Sequence, residues 1–126
     1  MSRAVPAVGE KRLFWIGSSK RDLKTFPEEV QAAIGDALGS AQFGEKHESA
    51  KPWKGDGPGV MEIVSDHRGD TFRAVYTVRF EQAVYVLHSF QKKSKTGIKT
   101  NQMDRELIAR RLGAAERDYK ERYGHE

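Results

Sequence analysis

The fold of this chain is decided by residues 60–90, which read VMEIVSDHRGDTFRAVYTVRFEQAVYVLHSF. The stretch contains three runs rich in β-branched and aromatic residues, a composition typical of β-strands. These runs cover residues 60–65, 71–80 and 83–90, and only short polar segments separate them. Because such short separations favour hairpins, the stretch predicts three antiparallel strands in a meander.

Elements on both sides of the meander complete the predicted domain. Residues 11–16 predict a short first strand. Ser19 and the Phe26-Pro27 pair predict the starts of two helices, because serine caps helices and proline favours the first helical position. Asn101 with Asp104 predicts the cap of a last helix. The second and last helices carry apolar residues at helical spacing.

The resulting order, β-α-α-β-β-β-α, predicts an α+β fold. We expect a small twisted antiparallel sheet, made of the N-terminal strand plus the three-strand meander, flanked by an N-terminal helix pair and a C-terminal helix. A chain of 126 residues is the size of one domain. We therefore expect a single domain over residues 1–126, with residues 1–10 as a flexible N-terminal extension.

Targeting signals are missing from the sequence. Residues 1–10 lack the apolar stretch of a signal peptide, and no apolar run approaches the roughly 20 residues that a membrane helix needs. The chain also contains no cysteine, which fits a reducing compartment. We expect a cytoplasmic protein that does not bind a membrane.

The excess positive charge is concentrated in one short segment. The sequence holds 22 Lys+Arg and 18 Asp+Glu, a net charge of +4. Residues 1–90 carry 12 of each sign and residues 101–126 carry six of each, so the whole excess lies in residues 91–100. The four lysines there are Lys92, Lys93, Lys95 and Lys99. The cluster indicates either an anion site, with nucleic acid as the commonest polyanion, or a solvated lysine-rich loop.

Two arginines of the middle strand are expected near this segment. Alternation along residues 71–80 separates an apolar face from a face that carries Arg73 and Arg79. We expect the apolar face to meet the helices and the arginine face to stay open. The third strand leads directly into Lys92, so these cations are expected to converge on one basic patch. Further candidates to line the patch are Lys51 and Lys54.

A patch of this kind suits cleavage of an RNA phosphodiester bond without a metal. Attack by the 2′-hydroxyl needs a proton acceptor, stabilisation of charge at phosphorus, and help for the leaving 5′-oxygen. Arginine is a permanently charged, forked phosphate ligand, and one of several clustered lysines can serve as the base. His88, near the end of the third strand, is either a further acid–base group or a half-buried structural histidine.

The motifs of other chemistries are missing. The sequence has no HExxH, no phosphate loop, no GxGxxG and no GxSxG. Without cysteine there is no thiolate nucleophile. We therefore expect neither a metal nor a cofactor. Trp15 and Trp53 are interpreted as core or interface anchors rather than as stacking platforms.

Several short motifs occur in an order that resembles a known family. They are an opening with Trp15, Ser18, Ser19, Asp22 and Leu23, a Phe26-Pro27 helix start, EIV (62–64), TFRAVY (71–76), LHSFQKKS (87–94) and GIKT (97–100). Together they cover residues 11–119. In this order they resemble the RelE/HigB-type toxins of type II toxin–antitoxin pairs, in particular their phage-derived, gene-product-forty-nine-like branch.

The resemblance implies a twisted antiparallel sheet flanked by helices, as in RelE and ParE toxins. It also implies growth inhibition by metal-independent cleavage of messenger RNA, usually in the ribosomal decoding site. Neutralisation by a cognate antitoxin is implied as well, usually a helix-turn-helix DNA-binding protein encoded next to the toxin. By position, the family's phosphate-binding arginine corresponds to Arg73, and its basic residue beyond the last strand corresponds to Lys93, beside Lys92.

Two family groups lack a counterpart in this chain. RelE carries lysines on its second strand, where this chain has Glu62, and a tyrosine in the final segment, whereas residues 91–118 contain none. We hypothesise that His88 and Lys54 replace the missing groups. The predicted catalytic set is Arg73, Lys92, Lys93, His88 and Lys54, and the predicted RNA-binding set is Lys51, Arg79, Lys95 and Lys99.

Three functions stay open at this point. The favoured one is a ribosome-dependent endoribonuclease that cleaves messenger RNA and acts as a toxin. The second is a ParE-like toxin that inhibits DNA gyrase by binding. The third is a non-catalytic, phage-derived module that binds RNA or the ribosome through its lysines.

Overall fold

A computed structural model describes residues 8–92 and 102–124 of the chain. Within these residues the chain forms five strands and three helices. In chain order they are β1 (Arg12–Trp15), α1 (Ser19–Leu23), α2 (Glu28–Gln42), β2 (Ala50–Pro52), β3 (Val60–His67), β4 (Asp70–Thr77), β5 (Ala83–Lys92) and α3 (Gln102–Tyr123). No described helix is both long enough and apolar enough to cross a membrane.

The described strands form one sheet in the order β1-β5-β4-β3-β2. The α+β class and the antiparallel meander β3-β4-β5 are confirmed. Two features differ from the expected four-strand antiparallel sheet, because β1 runs parallel to β5 and β2 adds a fifth strand beside β3. Helices α1 and α2 carry the chain across one face, and the strands then return in antiparallel steps that end beside β1. Strand β2 has only three residues, too few for an alternating pattern to predict it.

Helices cover both faces of the sheet. On one face α1 and α2 bury a core that includes Ile34 and Ala74. On the other face α3 buries a second core that includes Ile108 and Val75. The expectation of an open face around Arg73 is therefore wrong. The alternation that places Arg73 on this face also places Val75 there, and α3 covers that apolar residue.

Strand β5 contains one residue more than β4 can match. Val75 pairs with His88. The next residue of β4, Tyr76, pairs with Val86, which leaves Leu87 unmatched. A bulge of this kind shifts the alternation of the longer strand. As a result, His88 lies on the α3 side of the sheet, as Leu87 does.

A polar cluster fastens the C-terminal half of α3 to the sheet. The Tyr85 hydroxyl of β5 donates a hydrogen bond to Asp118 of α3 at 2.6 Å, and Arg122 donates to the same carboxylate oxygen at 2.7 Å. The Arg122 guanidinium also lies 4.2 Å from the centroid of the Phe14 ring. Burial raises the pKa of Asp118, but the hydrogen bonds from Tyr85 and Arg122 outweigh burial and hold that pKa below its ordinary value.

The substitution Asp118→Asn is expected to lower the free energy of unfolding near neutral pH by about 1 kcal/mol. The expected effect is small because the Asp118 side chain is 32% exposed and solvent partly screens its ion pair. Since folding lowers this pKa, the contribution is present above the unfolded value of about 4 and is lost as pH falls through the lower folded value. Denaturant unfolding at a series of pH values measures the effect.

The exposed Glu121 of the same helix provides the control. We expect Glu121→Gln to change the free energy of unfolding by less than about 0.5 kcal/mol. A difference between wild type and Asp118→Asn that stays constant into strong acid would contradict the role given to the Asp118 carboxylate.

Candidate active site

A row of register partners runs across four strands on the α3 side of the sheet. From β2 to β5 the partners are Lys51, Glu62, Val75 and His88. Arg73 occupies the neighbouring row on β4, opposite Phe90 of β5. Because adjacent strands lie about 4.8 Å apart, the backbones at Glu62 and His88 are about 10 Å apart, with β4 between them. The sheet therefore brings a carboxylate, an arginine and a histidine to one place.

Arg73 forms an ion pair with Glu62, in which Arg73 Nη1 donates to Glu62 Oε1. Both side chains are largely buried, with 14% of Arg73 and 10% of Glu62 exposed. The Nε atom of Arg73 is buried and has no hydrogen-bond partner within the described residues. A guanidinium carries five donors, so this arginine keeps donors for an oxyanion such as a phosphate.

His88 is held by a carboxylate from α3. Its Nε2 atom lies 2.7 Å from Oδ1 of Asp104, and its ring stacks on Phe90 with centroids 4.7 Å apart. Only 8% of the His88 side chain is exposed. Its Nδ1 atom has no partner among residues 8–92 and 102–124. A carboxylate on Nε2 orients the ring. Nδ1 is buried in this structure, and it is the ring nitrogen that Asp104 leaves unpaired.

Sequence reasoning missed two members of this site, Glu62 and Asp104. The family resemblance treats Glu62 only as a departure from a lysine pattern, but the structure makes it the partner of Arg73. The capping pattern assigns Asp104 to the start of the last helix, but its side chain contacts His88. The available signal for Glu62 was the presence of an acidic residue inside the predicted strand 60–65. No local sequence signal links Asp104 to His88, because the two residues lie 16 positions apart on different elements, a strand and a helix.

The predicted lysines fall into three groups. Lys51 and Lys54 are exposed on the β2 side of the row. Lys92 is half-buried at the end of β5 and is paired in register with Thr71, on the same face as Arg73. The others, Lys93, Lys95 and Lys99, lie outside the described residues, so their predicted roles stay predictions.

Arg79 belongs to a different part of the molecule from Arg73. It follows the end of β4, where Nη1 donates to Glu116 at 2.7 Å and Nη2 donates to the carbonyls of Asp56 and Pro58 at 2.8 and 3.1 Å. Gly59 packs against it with a φ of +84°, and a Cβ built there would lie 2.8 Å from the Arg79 Cβ. These contacts hold the loop before β3 against α3. We therefore assign Arg79 a structural role and leave it out of the candidate site.

The arrangement as a whole can bind and transfer protons to an oxyanion. Glu62 can accept a proton, Arg73 can bind negative charge, and His88 can donate or accept a proton at Nδ1. No three histidine, aspartate or glutamate side chains in the described ranges are grouped so that they could hold a metal ion. The molecule is thus a small α+β protein that brings two carboxylates, an arginine and a histidine together at the junction of a meander and its last helix.

Comparison with family models identifies the group to which this protein is assigned. The chain belongs to the family described as Phage derived protein Gp49-like (DUF891), whose model matches residues 21–113. This match confirms the resemblance to the gene-product-forty-nine-like branch and covers Glu62, Arg73, His88 and Asp104.

Two further comparisons complete the picture. Comparison with curated proteins gave no match. Among solved structures, one chain in the crystal structure of the toxin–antitoxin complex RelBE2 (Rv2865-2866) from Mycobacterium tuberculosis is similar, with 18% sequence identity and a TM-score of 0.41. The alignment covers 71% of this chain and 100% of that chain.

The substitution Arg79→Ala is expected to lower the free energy of unfolding by about 2 kcal/mol, because it leaves Glu116 and two loop carbonyls without their donor. Thermal or denaturant unfolding measures the loss. Arg117→Ala, at an exposed position beside Glu116 on the same helix, should change stability by less than about 0.5 kcal/mol. Equal stability of Arg79→Ala and wild type would show that the structural assignment is wrong.

Proposed function

We propose that this Gp49-like protein is the toxin of a type II toxin–antitoxin pair and that it inhibits translation by cleaving messenger RNA on the ribosome without a metal. The observation that carries the proposal is the placement of Arg73 on the strand between Glu62 and His88. A metal-independent RNA cleavage site needs these three kinds of group, namely a proton acceptor, a phosphate ligand and a proton donor.

The first half of the proposed reaction uses Arg73 and Glu62. The scissile phosphate binds the donors of Arg73 that Glu62 leaves unused. The Glu62 carboxylate accepts the proton of the adjacent 2′-hydroxyl as the 2′-oxygen attacks phosphorus. Because Glu62 contacts Arg73, its carboxylate can accept this proton next to the bound phosphate. The Arg73 guanidinium stabilises the negative charge that develops on the phosphoryl oxygens.

The second half uses His88. The bond between phosphorus and the 5′-oxygen breaks, and the leaving oxygen takes a proton from Nδ1 of the His88 imidazolium. The Asp104 carboxylate stabilises the positive ring through Nε2. The products are a 2′,3′-cyclic phosphate and a 5′-hydroxyl, so atoms and charge balance. In this proposal Lys92 and Lys93 stabilise the transition state, while Lys51, Lys95 and Lys99 hold the RNA backbone. Lys54, which the sequence suggested as a catalytic residue, is exposed at the β2 end of the row, and we propose that it holds the RNA backbone instead.

The proposal includes partners of two kinds. The substrate is messenger RNA in the ribosome, which requires a cytoplasmic location. A cognate antitoxin, by family resemblance a helix-turn-helix DNA-binding protein encoded beside the toxin, would neutralise the activity.

Inducible expression in a bacterium, with and without the neighbouring open reading frame, tests the toxin role. We expect growth arrest that the neighbour relieves. Mapping of RNA 5′ ends during arrest should then reveal new cleavage sites within translated messages. Arrest with intact messages and broken DNA would instead indicate a ParE-like gyrase inhibitor. Harmless expression of a folded protein would contradict both toxin readings.

Substitutions in the three central residues are expected to separate chemistry from fold. We expect His88→Gln and Glu62→Gln to reduce the cleavage rate by about a hundredfold or more, the usual contribution of a general acid or base. Arg73→Lys should reduce it comparably, because lysine cannot bind a phosphate as a fork. Arg21→Gln, at an exposed position of α1, is the control and should cleave as wild type does. Because Arg73 and Glu62 form a buried pair, circular dichroism must accompany each assay.

Asp104→Asn tests the positioning of His88. We expect a reduced cleavage rate with a nearly unchanged KM, because Asp104 contacts the imidazole rather than the RNA. In a His88→Gln background, Asp104→Asn should cause no further loss, since the two residues act as a unit. Additive losses in the double variant would mean that Asp104 acts independently of His88.

A further inference from the structure

An arginine outside the candidate site lies over a tryptophan ring beside it. The Arg105 guanidinium carbon lies 5.2 Å from the centroid of the Trp53 ring. Its Nη1 atom donates to the backbone carbonyl of Lys54 at 3.4 Å. Trp53 is itself only 5% exposed and donates its indole N–H to Asp56 at 2.8 Å. Burial and the hydrogen bond to Asp56 thus fix the Trp53 indole. The Arg105 guanidinium that lies over this ring is exposed to solvent.

The position of Arg105 connects it to the candidate site from two directions. Arg105 directly follows Asp104, the residue that contacts His88, in the first turn of α3. Trp53 lies two residues after Lys51, which begins the row that leads through Glu62 to His88. Lys51 and Lys54 are both exposed and lie near the β2 end of the row. Arg105 therefore stands at the β2 border of the site, within a positively charged surface.

We propose that Arg105 is a nucleobase-stacking residue that binds one base of a single-stranded RNA beside the scissile phosphate. A guanidinium is planar, and its flat face can stack on a nucleobase as readily as on an aromatic ring. Trp53 and the Lys54 carbonyl hold the Arg105 guanidinium from the protein side, and its solvent-exposed side is open to a base. The inference rests on the proposed function and adds to it a residue that determines which nucleotide lies next to the cut.

A base and a phosphate would contact Arg105 in different ways. Phosphates bind along the edge of the guanidinium, where two parallel N–H groups form a fork. At Arg105, Nη1 already donates to the Lys54 carbonyl, so a phosphate fork is limited to the Nε–Nη2 edge. Trp53 is buried, whereas the Arg105 guanidinium over it is exposed and offers a planar group to a base.

The test compares Arg105→Lys and Arg105→Ala with Arg110→Lys, which alters an exposed arginine farther along the same helix. Each full-length variant is expressed under induction, and RNA 5′ ends are mapped and counted. We expect both Arg105 variants to cut the preferred wild-type sites roughly tenfold less often, since a stacked base contributes substantially to binding. The preference for particular nucleotides beside the cut should flatten. Arg110→Lys should retain both the rate and the preference.

Two outcomes would overturn the inference while leaving the proposed function standing. One is an Arg105→Lys variant that cuts the same sites at the wild-type rate. The other is a uniform loss at all sites in Arg105→Ala that Arg105→Lys restores, which is the behaviour of a phosphate contact. If wild type itself cuts no RNA, the proposed function fails, and the stacking role fails with it. Thermal unfolding of each variant, expected at the wild-type temperature, ensures that any loss reflects the contact.

Discussion

The unmatched residue Leu87 in β5 is the constraint on which the candidate site depends. Strict alternation from Tyr85 would place His88 on the side of α1 and α2. The bulge places His88 on the opposite side, where Asp104 of α3 reaches it. Phe90 and Lys92 keep the new alternation, so the end of β5 faces the same way as Arg73. One additional residue in one strand thus aligns the groups that we propose for chemistry.

The sequence predicts the framework of the fold well because its signals are local. The meander, both long helices and the α+β class follow from alternation, helical spacing and caps within single segments. The parallel pairing of β1 does not follow, because its partner lies 71 residues away, Arg12 opposite Ala83. The closure of the Arg73 face by α3 was also missed. The apolar stripe of α3 is weak, and it does not indicate which face of the sheet the helix covers.

The residues of the candidate site can be predicted only in part, because local sequence signals identify some of them but not their contacts. Arg73, His88 and the neighbouring lysines can be found from strand position and charge, and the family resemblance suggests roles for Arg73 and Lys93. The contacts of Glu62 and Asp104 depend on register between strands and on where a helix lands, which no single segment encodes. The buried pair of Glu62 and Arg73 has a cost, because each charge is desolvated and relies on the other. Removal of either partner would leave the other charge buried and unpaired.

The placement of Asp104 and Arg105 on α3 has a consequence during synthesis of the protein. All strands of the sheet precede α3 in the chain, so a nascent chain can pair its strands before this helix has left the ribosome. At that stage His88 lacks its carboxylate, and Val75 and its apolar neighbours lack their cover. A protein whose proposed target is the translating ribosome would therefore remain incomplete beside the ribosome that makes it. The order of elements along the chain thus delays assembly of the site until translation has passed α3.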